Sequence, residues 1–312
     1  MGKINDMIKL FNYYRHKFYL FVLRHLFYWL PDTTYLKLLY RFKMGHRLNL
    51  RNPKTFTEKL QWLKLYNRKP EYTKMVDKYA VKDYVSGVIG PEYIIPTIGV
   101  WNKPEEIDWD SLPNQFVLKT THGGGGGGVV ICKDKETFNN DEAIVKLNHS
   151  LKADIYRGFR EWPYKNVPKR IIAERFMTSE QSGDTVSLLD YKFFCFNGKV
   201  KFYKVDFGRF VEHHANYYSP EGNLLPFGEQ GLEPDFNYPI KLPSNLDEMI
   251  SIAERISQGE PFLRVDLYNI NGKIYFGEIT FFDGSGFDAF DTGEMELYLG
   301  DMIKIPTDKG RA

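Results

Sequence analysis

The segment 261–280 constrains the fold more than any other, because it predicts two β-strands joined by a tight turn. Val, Ile, Tyr and Phe are frequent in both halves, and the pair Asn271-Gly272 between them is favoured in two-residue hairpin turns. Alternation puts Arg264 and Asp266 on one face of the first strand, and strand pairing brings Glu278 beside Asp266. Adjacent carboxylates repel each other, so this pair needs a counter-charge, either a metal ion or Arg264. A solvated surface is the alternative interpretation.

Six consecutive glycines, residues 123–128, lie between a predicted strand at 116–119 and a return strand at 129–132. Glycine buries no side chain and costs backbone entropy, so the run indicates a mobile loop whose open amides close on phosphate oxygens. Lys119, at the end of the incoming strand, places a cation beside this loop. A flexible hairpin tip is the alternative. The run does not end in Gly-Lys-Ser/Thr, so it is not a Walker loop.

A lysine in the middle of a hydrophobic strand is a second sign of an anion-binding site. Lys192 lies within 190–194, where it is flanked by aromatic residues. Its ammonium group needs an anionic partner there, because an unpaired charge is costly to bury. Phosphate is a natural partner. Three further basic residues either extend this site or form a solvated strand face: Lys201, Lys204 and Arg209.

The composition excludes several other classes of protein. A net charge of +2, without a basic tract that has interleaved aromatics, argues against nucleic acid as a partner. Cys132 and Cys195 lie in apolar, strand-like runs, which is typical of reduced core residues in a cytoplasmic protein. The seven histidines lack metal-binding spacing. A chain of 312 residues can hold two domains or two closely joined subdomains.

Residues 13–30 are crowded with Phe, Tyr, Leu and Trp, but basic residues interrupt them. The longest apolar run, 18–23, is far shorter than the roughly 20 residues of a membrane-spanning helix, and no signal-peptide cleavage site follows. One interpretation is a helix lying on an anionic membrane face through Arg15, Lys17 and Arg24. The other is a helix docked on the body of the protein or on a partner subunit. We therefore expect a cytoplasmic protein that, in the first case, is peripheral to the inner face of the cell membrane.

Predicted helices and antiparallel hairpins alternate along the chain, which is typical of an α+β architecture with a ligand held between two subdomains. A capping box at Thr55 begins one helix, a second helical pattern covers 72–88, and 211–243 reads as a long irregular excursion. Four regions are predicted: a basic aromatic helical extension (1–50), an N-terminal region (51–115), a subdomain with the glycine loop (116–178) and a subdomain with the acidic pair (179–312).

Four segments resemble the motifs of ATP-grasp ligases in both order and spacing. They are Phe116-Val-Leu-Lys-Thr-Thr-His-Gly123, Ile171-Ile-Ala-Glu174, Asp190-Tyr-Lys-Phe-Phe-Cys-Phe-Asn-Gly198 and the stretch from Arg264 to Gly286. More narrowly, the chain between Asn52 and Pro306 is similar to the TupA-like ATP-grasp group, which is associated with teichuronopeptide and bacterial surface-polysaccharide biosynthesis. The resemblance implies an ATP-grasp fold, in which two α+β subdomains clasp ATP behind an N-terminal helical extension.

The resemblance also implies an activity, that of an ATP-dependent carboxylate–amine ligase acting through an acyl-phosphate. Its substrates would be a uronic acid carboxylate of a bacterial surface glycan and an amine such as an amino acid. Its cofactors would be ATP and Mg²⁺. A glycosyltransferase of polysaccharide biosynthesis is one alternative, although no repeated βα unit is evident. A nucleotide-binding scaffold without activity is the other.

The family's nucleotide contacts correspond to two groups of residues in this chain. Phosphate contacts are implied for three lysines and for the central glycines of the loop: Lys78, Lys119, Lys192, Gly124, Gly125, Gly126 and Gly127. Lys192 would also assist the transfer of the phosphoryl group. The adenine would lie against the strand 171–177 and pair with backbone groups of Glu174, Arg175, Phe176 and Met177. The acid that holds the ribose would be Glu180 or Asp184, because Thr178 occupies the local position.

The family's metal and catalytic residues correspond to the hairpin at 261–280. Asp266 and Glu278 would bind two Mg²⁺ ions, and Arg264 would stabilise the charge that is transferred. The common ATP-grasp pattern has an Asn where this chain has Thr280. A hydroxyl oxygen can also bind Mg²⁺, so Thr280 is expected to take the place of that Asn. Asp283 could share the role.

Overall fold

A computed structural model describes residues 17–124, 127–178, 188–208 and 213–306 of the chain. Short 3-10 turns connect some of the regular elements. The α-helices of these residues are α1 (17–26), α2 (Asp32–Met44), α3 (Phe56–Tyr66), α4 (Tyr72–Val76), α5 (Ala80–Ile89), α6 (Asn140–Leu151), α7 (Ile155–Phe159), α8 (Leu246–Ile256) and α9 (Gly293–Met302).

The strands form two antiparallel sheets, so the architecture is α+β as predicted. The smaller sheet has the order β1-β4-β2-β3, from β1 (Thr97–Trp101), β2 (Phe116–Thr120), β3 (Val129–Cys132) and β4 (Ile171–Arg175). The larger sheet has the order β10-β9-β5-β6-β7-β8, from β5 (Asp190–Phe196), β6 (Lys199–Phe207), β7 (His214–Tyr218), β8 (Leu224–Leu225), β9 (Phe262–Ile270) and β10 (Lys273–Thr280).

The smaller sheet carries the glycine loop between β2 and β3, and α6 packs on one of its faces. Phe116 and Leu118 of β2 are fully buried in a core that also contains Leu147 of α6 and Ala173 of β4. Because successive side chains of a strand point to opposite faces, this packing turns Lys119 to the other face of β2. The core therefore fixes the direction of the lysine that precedes the loop.

The larger sheet has an aromatic core and is covered on one face by α8. Helix α8 buries Met249, Ile252, Ala253 and Ile256 against it. The central strand β5 is buried at every position, because its two neighbours β9 and β6 and the layers above and below enclose it. A lysine on such a strand has no direct route to bulk water, so its charge must be matched inside the protein.

Two predictions from the sequence are wrong in detail. The helical pattern at 72–88 is divided into α4 and α5, because Asp77 Oδ1 accepts the backbone N–H groups of Tyr79 (2.9 Å) and Ala80 (3.4 Å). Such side-chain bonds compete with helix continuation and start a new helix instead. The excursion at 211–243 is not wholly irregular, since β7 and β8 add two strands to the larger sheet.

Helix α1 docks on the body of the protein through its inner face. Leu23 is only 3% exposed and packs with residues of α2, while the Tyr19 ring stacks on Phe42 at 3.7 Å. The Arg24 guanidinium lies 5.6 Å from the centre of the Phe159 ring in α7. The membrane interpretation expected Arg24 on the outer face of the helix. It is not there, because its guanidinium packs over the Phe159 ring.

The outer side of the same region is apolar. Between 52% and 70% of each of five large side chains is exposed: Phe18, Phe21, Leu26, Tyr28 and Trp29. Within the residues that the structure describes, no helix has both the length and the apolar content needed to cross a bilayer. Residues 13–16 of the predicted amphipathic segment, including Arg15, lie outside the described residues.

Candidate active site

The β9–β10 hairpin forms as the sequence predicts, with Asn271-Gly272 in the left-handed conformation that its turn requires (φ 52° and 83°). A β-bulge at Gly277 shifts the register of β10 by one residue. Continuing the register of the turn would place Gly277 opposite Asp266, whereas the bulge places Glu278 there, on the same face. The prediction that these two carboxylates are neighbours is confirmed.

Arg264 is the counter-charge for this acidic pair in the structure. Its guanidinium donates to both oxygens of Asp266, from Nε to Oδ1 (2.7 Å) and from NH2 to Oδ2 (2.8 Å). It also reaches Glu278 Oε1 (3.1 Å) and the carboxylate of Asp283. One buried arginine thus joins three carboxylates, and the planar guanidinium suits such a cluster because it offers five donors in a fixed geometry.

Lys192 on β5 extends the cluster across the larger sheet. Its Nζ lies 2.5 Å from Asp190 Oδ2, 2.7 Å from Asp266 Oδ2 and 3.9 Å from Asp206 Oδ2. Burial alone would lower the pKa of Lys192, but the carboxylates of Asp190 and Asp266 outweigh it and raise that pKa above its ordinary value. The sequence predicted an anionic partner and named phosphate, and in the structure protein carboxylates take that place.

Lys78 approaches the acidic pair from the break between α4 and α5. Its Nζ lies 3.3 Å from Glu278 Oε2, and its backbone N–H donates to the carbonyl of Thr121, next to β2. Burial would raise the pKa of Glu278, but Lys78 and Arg264 hold it well below its ordinary value. The family context predicted Lys78 at this site, and the structure brings it there.

Lys119 and Lys82 share one carboxylate, Glu174, on the neighbouring strand β4. The Nζ–Oε distances are 2.6 Å from Lys119 and 2.5 Å from Lys82. Burial would raise the pKa of Glu174, but the two ammonium groups lower it. The sequence singled out Lys119 and missed Lys82 as a site residue. The available signal was its position one helical turn after Lys78.

The glycines of the loop fall into two kinds. A Cβ on Gly127 would meet nothing within 4 Å, and one on Gly124 would meet only Ile155 at 3.6 Å. A Cβ on Gly128 would instead lie against the hydroxyls of Thr120 and Ser150, which bond each other at 2.8 Å. The loop is therefore open near its middle and packed at its return to β3, where close contact as well as backbone freedom requires a glycine at position 128. Gly125 and Gly126 lie outside the described residues.

The segment predicted to face adenine follows the buried part of β4. Arg175 ends that strand, with its backbone N–H donating to Pro96 (3.1 Å), and Phe176 and Met177 are half-buried beyond it. They follow Glu174, the partner of Lys119, directly in the chain, and their contact with adenine stays a prediction. Two residues suggested for the ribose lie outside the described residues: Glu180 and Asp184.

Two further residues complete the charged face. Thr280 pairs with Arg264 in the β9–β10 register and is half-buried on the same side as Glu278. Lys204 on β6 is buried, and its Nζ bonds both oxygens of Glu229 (2.9 and 3.0 Å). The alternative that Lys204 lies on a solvated strand face is therefore wrong, because its charge is paired inside the protein.

The acidic pair fits Mg²⁺ by the chemistry of its oxygens. Mg²⁺ keeps several waters and is usually held by one or two carboxylates together with substrate phosphates. Asp266 and Glu278 offer such oxygens, and the Glu278 side chain is 39% exposed. Within the described part of the chain, no three His, Cys, Asp or Glu side chains gather into a metal site of their own. A metal here would thus depend on phosphate oxygens for the rest of its coordination.

The chain is similar to one known protein family and to several solved structures. The family model for TupA-like ATP-grasp proteins matches residues 58–304, whereas no curated protein sequence matches the chain significantly. Among solved structures, D-alanine–D-alanine ligase from Helicobacter pylori is similar over 80% of this chain and 69% of its own length, with 15% identity and a TM-score of 0.43.

Two further similar structures were solved with nucleotide bound. D-alanine–D-alanine ligase from Bacillus anthracis, complexed with ATP, covers 73% of this chain and 63% of its own length, with 16% identity and a TM-score of 0.40. The ATP-grasp ligase PsnB, with Mg and ADP, covers 80% and 66%, with 12% identity and a TM-score of 0.41. The match to the family model extends over more than half of the chain and includes both sheets and the acidic hairpin. The chain therefore belongs to the TupA-like ATP-grasp family.

Proposed function

We propose that the protein joins a carboxylate to an amine at the expense of ATP, through an acyl-phosphate. The observation that carries this proposal is the gathering of lysines from separate elements at the acidic pair: Lys78 pairs with Glu278, and Lys192 pairs with Asp266. Lys119 pairs with Glu174 and lies near enough for the charge of Glu278 to contribute to raising its pKa. Cations of this kind neutralise a triphosphate. Phosphoryl transfer requires mainly such positioning and charge stabilisation, so a nucleophilic side chain is not needed.

The proposed nucleotide site lies between the two sheets. Lys78, Lys119 and Lys192 would contact the phosphates, and Gly124 to Gly127 would close over them. The end of β4, from Glu174 to Met177, would face the adenine, with Glu180 near the ribose. In the structure these lysines bond carboxylates. Binding of ATP would therefore replace carboxylate partners with phosphate oxygens.

Asp266 and Glu278, with Thr280 beside them, would hold Mg²⁺. When bound, Mg²⁺ neutralises phosphate charge and aligns the γ-phosphoryl group. An oxygen of the substrate carboxylate would attack the γ-phosphorus, and ADP would leave. Arg264 and Lys192 would stabilise the charge during this transfer. The amine would then form a bond to the acyl carbon as the bond from that carbon to the phosphate oxygen breaks.

The proposed substrates are a uronic acid carboxylate of a bacterial surface polysaccharide and an amino acid. Support comes from membership of the TupA-like family, whose name is associated with teichuronopeptide. Two rival functions remain, a glycosyltransferase and an inactive nucleotide-binding scaffold. Both sheets of the described residues are antiparallel, which favours the ligase over a sugar-nucleotide enzyme built from parallel βα units.

One experiment separates the three functions. Phosphate release from ATP is measured with trigalacturonate and each of the common amino acids in turn. The products are identified by mass spectrometry. Release that depends on both the carboxylate and one amine, with an amide product, supports the ligase. Turnover of a nucleotide sugar in place of ATP would identify a glycosyltransferase. Nucleotide binding without either reaction would identify the scaffold.

We also propose that the N-terminal region touches the inner face of the cell membrane. Residues 17–51 contain seven Lys or Arg and one Asp or Glu, so this part of a nearly neutral chain is strongly basic. Trp29 and Tyr28 are exposed beside Phe18 and Phe21, and Trp and Tyr suit the headgroup layer because each ring has an apolar body and a polar group. Work on a lipid-linked glycan would be consistent with this location.

A further inference from the structure

A buried carboxylate, Glu161, lies near the acidic hairpin without an ion pair to any cation of the described residues. Only 6% of it is exposed. The preceding residue, Arg160, has a left-handed backbone (φ 57°), which costs about 1–2 kcal/mol in a non-glycine residue. Arg160 is held there by Asp32 (Nε–Oδ1 3.2 Å) and by the carbonyl of Tyr28 (2.6 Å). This strained residue turns Glu161 inward.

The partner of Glu161 is an equally unusual turn. Gly284, Ser285 and Gly286 all have positive φ angles (51°, 56° and 67°), and a serine rarely adopts this conformation. The turn persists because buried side chains of α3 hold its carbonyls. Lys64 Nζ donates to Ser285 O (2.5 Å), and Gln61 Nε2 donates to Gly286 O (2.6 Å). Strain that is held in this way occurs preferentially at functional sites.

One hydrogen bond joins the two features and leaves one oxygen of Glu161 without a donor. Ser285 Oγ donates to Glu161 Oε1 at 2.6 Å, while no described residue donates to Oε2. Lys64 is fully buried and uses its ammonium on Gln61, Phe159 and Ser285, so it does not pair with Glu161. Burial raises the pKa of Glu161, and the charge of the nearby Lys64 opposes this shift. Burial also lowers the pKa of Lys64 to about 7, against the charge of Glu161.

The turn adjoins the reacting centre. Asp283, which bonds Arg264, lies two residues before Ser285. Tyr164 lies one helical turn after Glu161, and burial followed by the charges of Glu161 and Glu278 raises its pKa well above the ordinary value. The charges of Glu161 and Glu278 thus act on the same tyrosine, and Ser285 joins Glu161 to the turn that follows Asp283.

We propose that Glu161, together with the Ser285 hydroxyl, holds the ammonium group of the amine substrate and accepts its proton. This assignment rests on the proposed ligase function. An ammonium ion has only donors, so a carboxylate oxygen that lacks a donor and a hydroxyl oxygen beside it suit its recognition. Glu161 is a carboxylate that neither the proposed phosphate contacts nor the proposed metal ligands use, and its bond to Ser285 Oγ places a hydroxyl oxygen beside it.

The proton balance of the step is simple. One proton passes from the ammonium nitrogen to the Glu161 carboxylate, which leaves a lone pair on nitrogen. That lone pair attacks the acyl carbon, and the C–N bond forms as the C–O bond to phosphate breaks. A second proton leaves the nitrogen with the phosphate, and Glu161 returns its proton to water. General-base assistance of this kind contributes about 10²–10⁴-fold to a rate.

Two small amines of equal heavy-atom count test the assignment. At neutral pH methylamine is almost entirely protonated, whereas hydroxylamine is largely neutral and needs no base. With ATP, Mg²⁺ and trigalacturonate, the native enzyme is expected to make both the methylamide and the hydroxamate. Glu161→Gln is expected to lose the methylamide rate by about 100-fold and to retain the hydroxamate rate within about threefold.

Two controls separate this role from a merely structural one. The methylamide deficit of Glu161→Gln should shrink by about tenfold per pH unit as free methylamine accumulates, measured above about pH 8. There Lys64, with a pKa of about 7, is already mostly neutral, and Tyr164 stays protonated because its pKa is well above the ordinary value. Ser285→Ala should slow methylamide formation by about tenfold, as expected for one lost charge-assisted hydrogen bond. Unchanged melting temperature and ATP affinity show that each variant is folded.

Three outcomes would count against the assignment. If Glu161→Gln and Ser285→Ala each lost methylamide and hydroxamate formation to the same extent, Glu161 would only support the turn. A native enzyme that makes hydroxamate but no methylamide at any pH would mean that no ammonium site exists. A native enzyme that makes neither product fails to activate the carboxylate, which overturns the proposed function and removes this assignment with it.

Discussion

Glu278 stands opposite Asp266 across β9 and β10 because a β-bulge at Gly277 shifts the register by one residue. Without the bulge, Glu278 would pair with Val265 and point into the core. The bulge is tight: a Cβ on Gly277 would lie 2.9 Å from the carbonyl oxygen of Asp266. The acidic pair therefore depends on a glycine that carries no functional group itself.

Gly277→Val should abolish the activity while leaving nucleotide binding largely intact. The added side chain collides with the backbone of β9, so Glu278 turns away from Asp266, but Lys119 lies on the other sheet and is unaffected. We expect turnover to fall by at least about 100-fold, since each group that stabilises the transfer is worth several kcal/mol. Gly293→Ala is the matched control, because a Cβ there meets nothing within 4 Å. Equal activity of the two variants would contradict the role of the bulge.

The two carboxylates should respond differently to neutral substitutions. Glu278→Gln should abolish turnover with little loss of stability, because 39% of that side chain is exposed. Asp266→Asn should abolish turnover and also destabilise the fold by about 3–5 kcal/mol, because Arg264 and Lys192 lose a buried partner. Phosphate-release assays and urea unfolding measure both effects. Near-normal turnover in either variant would show that the metal site lies elsewhere.

Lys119→Ala should weaken ATP binding by at least about tenfold, the effect of losing one charged hydrogen bond worth about 1.5–3 kcal/mol. The remaining Lys82 keeps Glu174 paired, so the fold should survive. Lys199→Ala is the control, since Lys199 is a lysine of the larger sheet whose side chain is 68% exposed and paired only with Glu254. Isothermal calorimetry gives both affinities, and an unchanged Kd for Lys119→Ala would place the nucleotide in another pocket.

Substitutions at the open loop glycines should affect turnover, whereas substitution of the packed Gly128 should affect stability. The double variant Gly124→Val and Gly127→Val should slow turnover more than it weakens adenosine binding, because bulk hinders closure of the loop over phosphates but not contact with adenine. Its melting temperature should change little, as both positions are open. Gly128→Ala should instead lower the melting temperature, because its Cβ would lie against Thr120 and Ser150. Calorimetric scans that rank these variants in the opposite order would reject the division.

The N-terminal region should bind anionic vesicles through its outer face. Phe21→Ser with Trp29→Ser should reduce flotation with phosphatidylglycerol–phosphatidylcholine vesicles and leave the melting temperature intact, because both side chains are exposed. High salt should weaken binding of the native chain, since each basic residue near the surface contributes about 1 kcal/mol. Leu23→Ala, on the docked face, should lower stability by about 2–4 kcal/mol. Absence of native binding at any salt concentration would leave α1 as a docked helix only.

Elements that depend on neighbouring residues could be predicted from the sequence. The Asn271-Gly272 turn, the strands that flank the glycine loop and the capping box at Thr55 form as expected, because turn and cap preferences are decided within a few residues. The break at Asp77 is also decided locally, but it was not predicted. The Asp77 side chain accepts backbone hydrogen bonds that compete with the helix, and the spacing of apolar residues carries no information about such bonds.

The sequence by itself identified three central charges of the site, since it placed Arg264 and Asp266 on one strand face and a lysine in the apolar strand β5. Only the tertiary structure decided which charges meet. Lys192 pairs with Asp266 from 74 residues away, and Glu161 with Ser285 from 124 residues away. Such partners are chosen by sheet order, by the register at Gly277 and by burial, which makes an unpaired charge costly. These are properties of the assembled chain, and no local pattern records them.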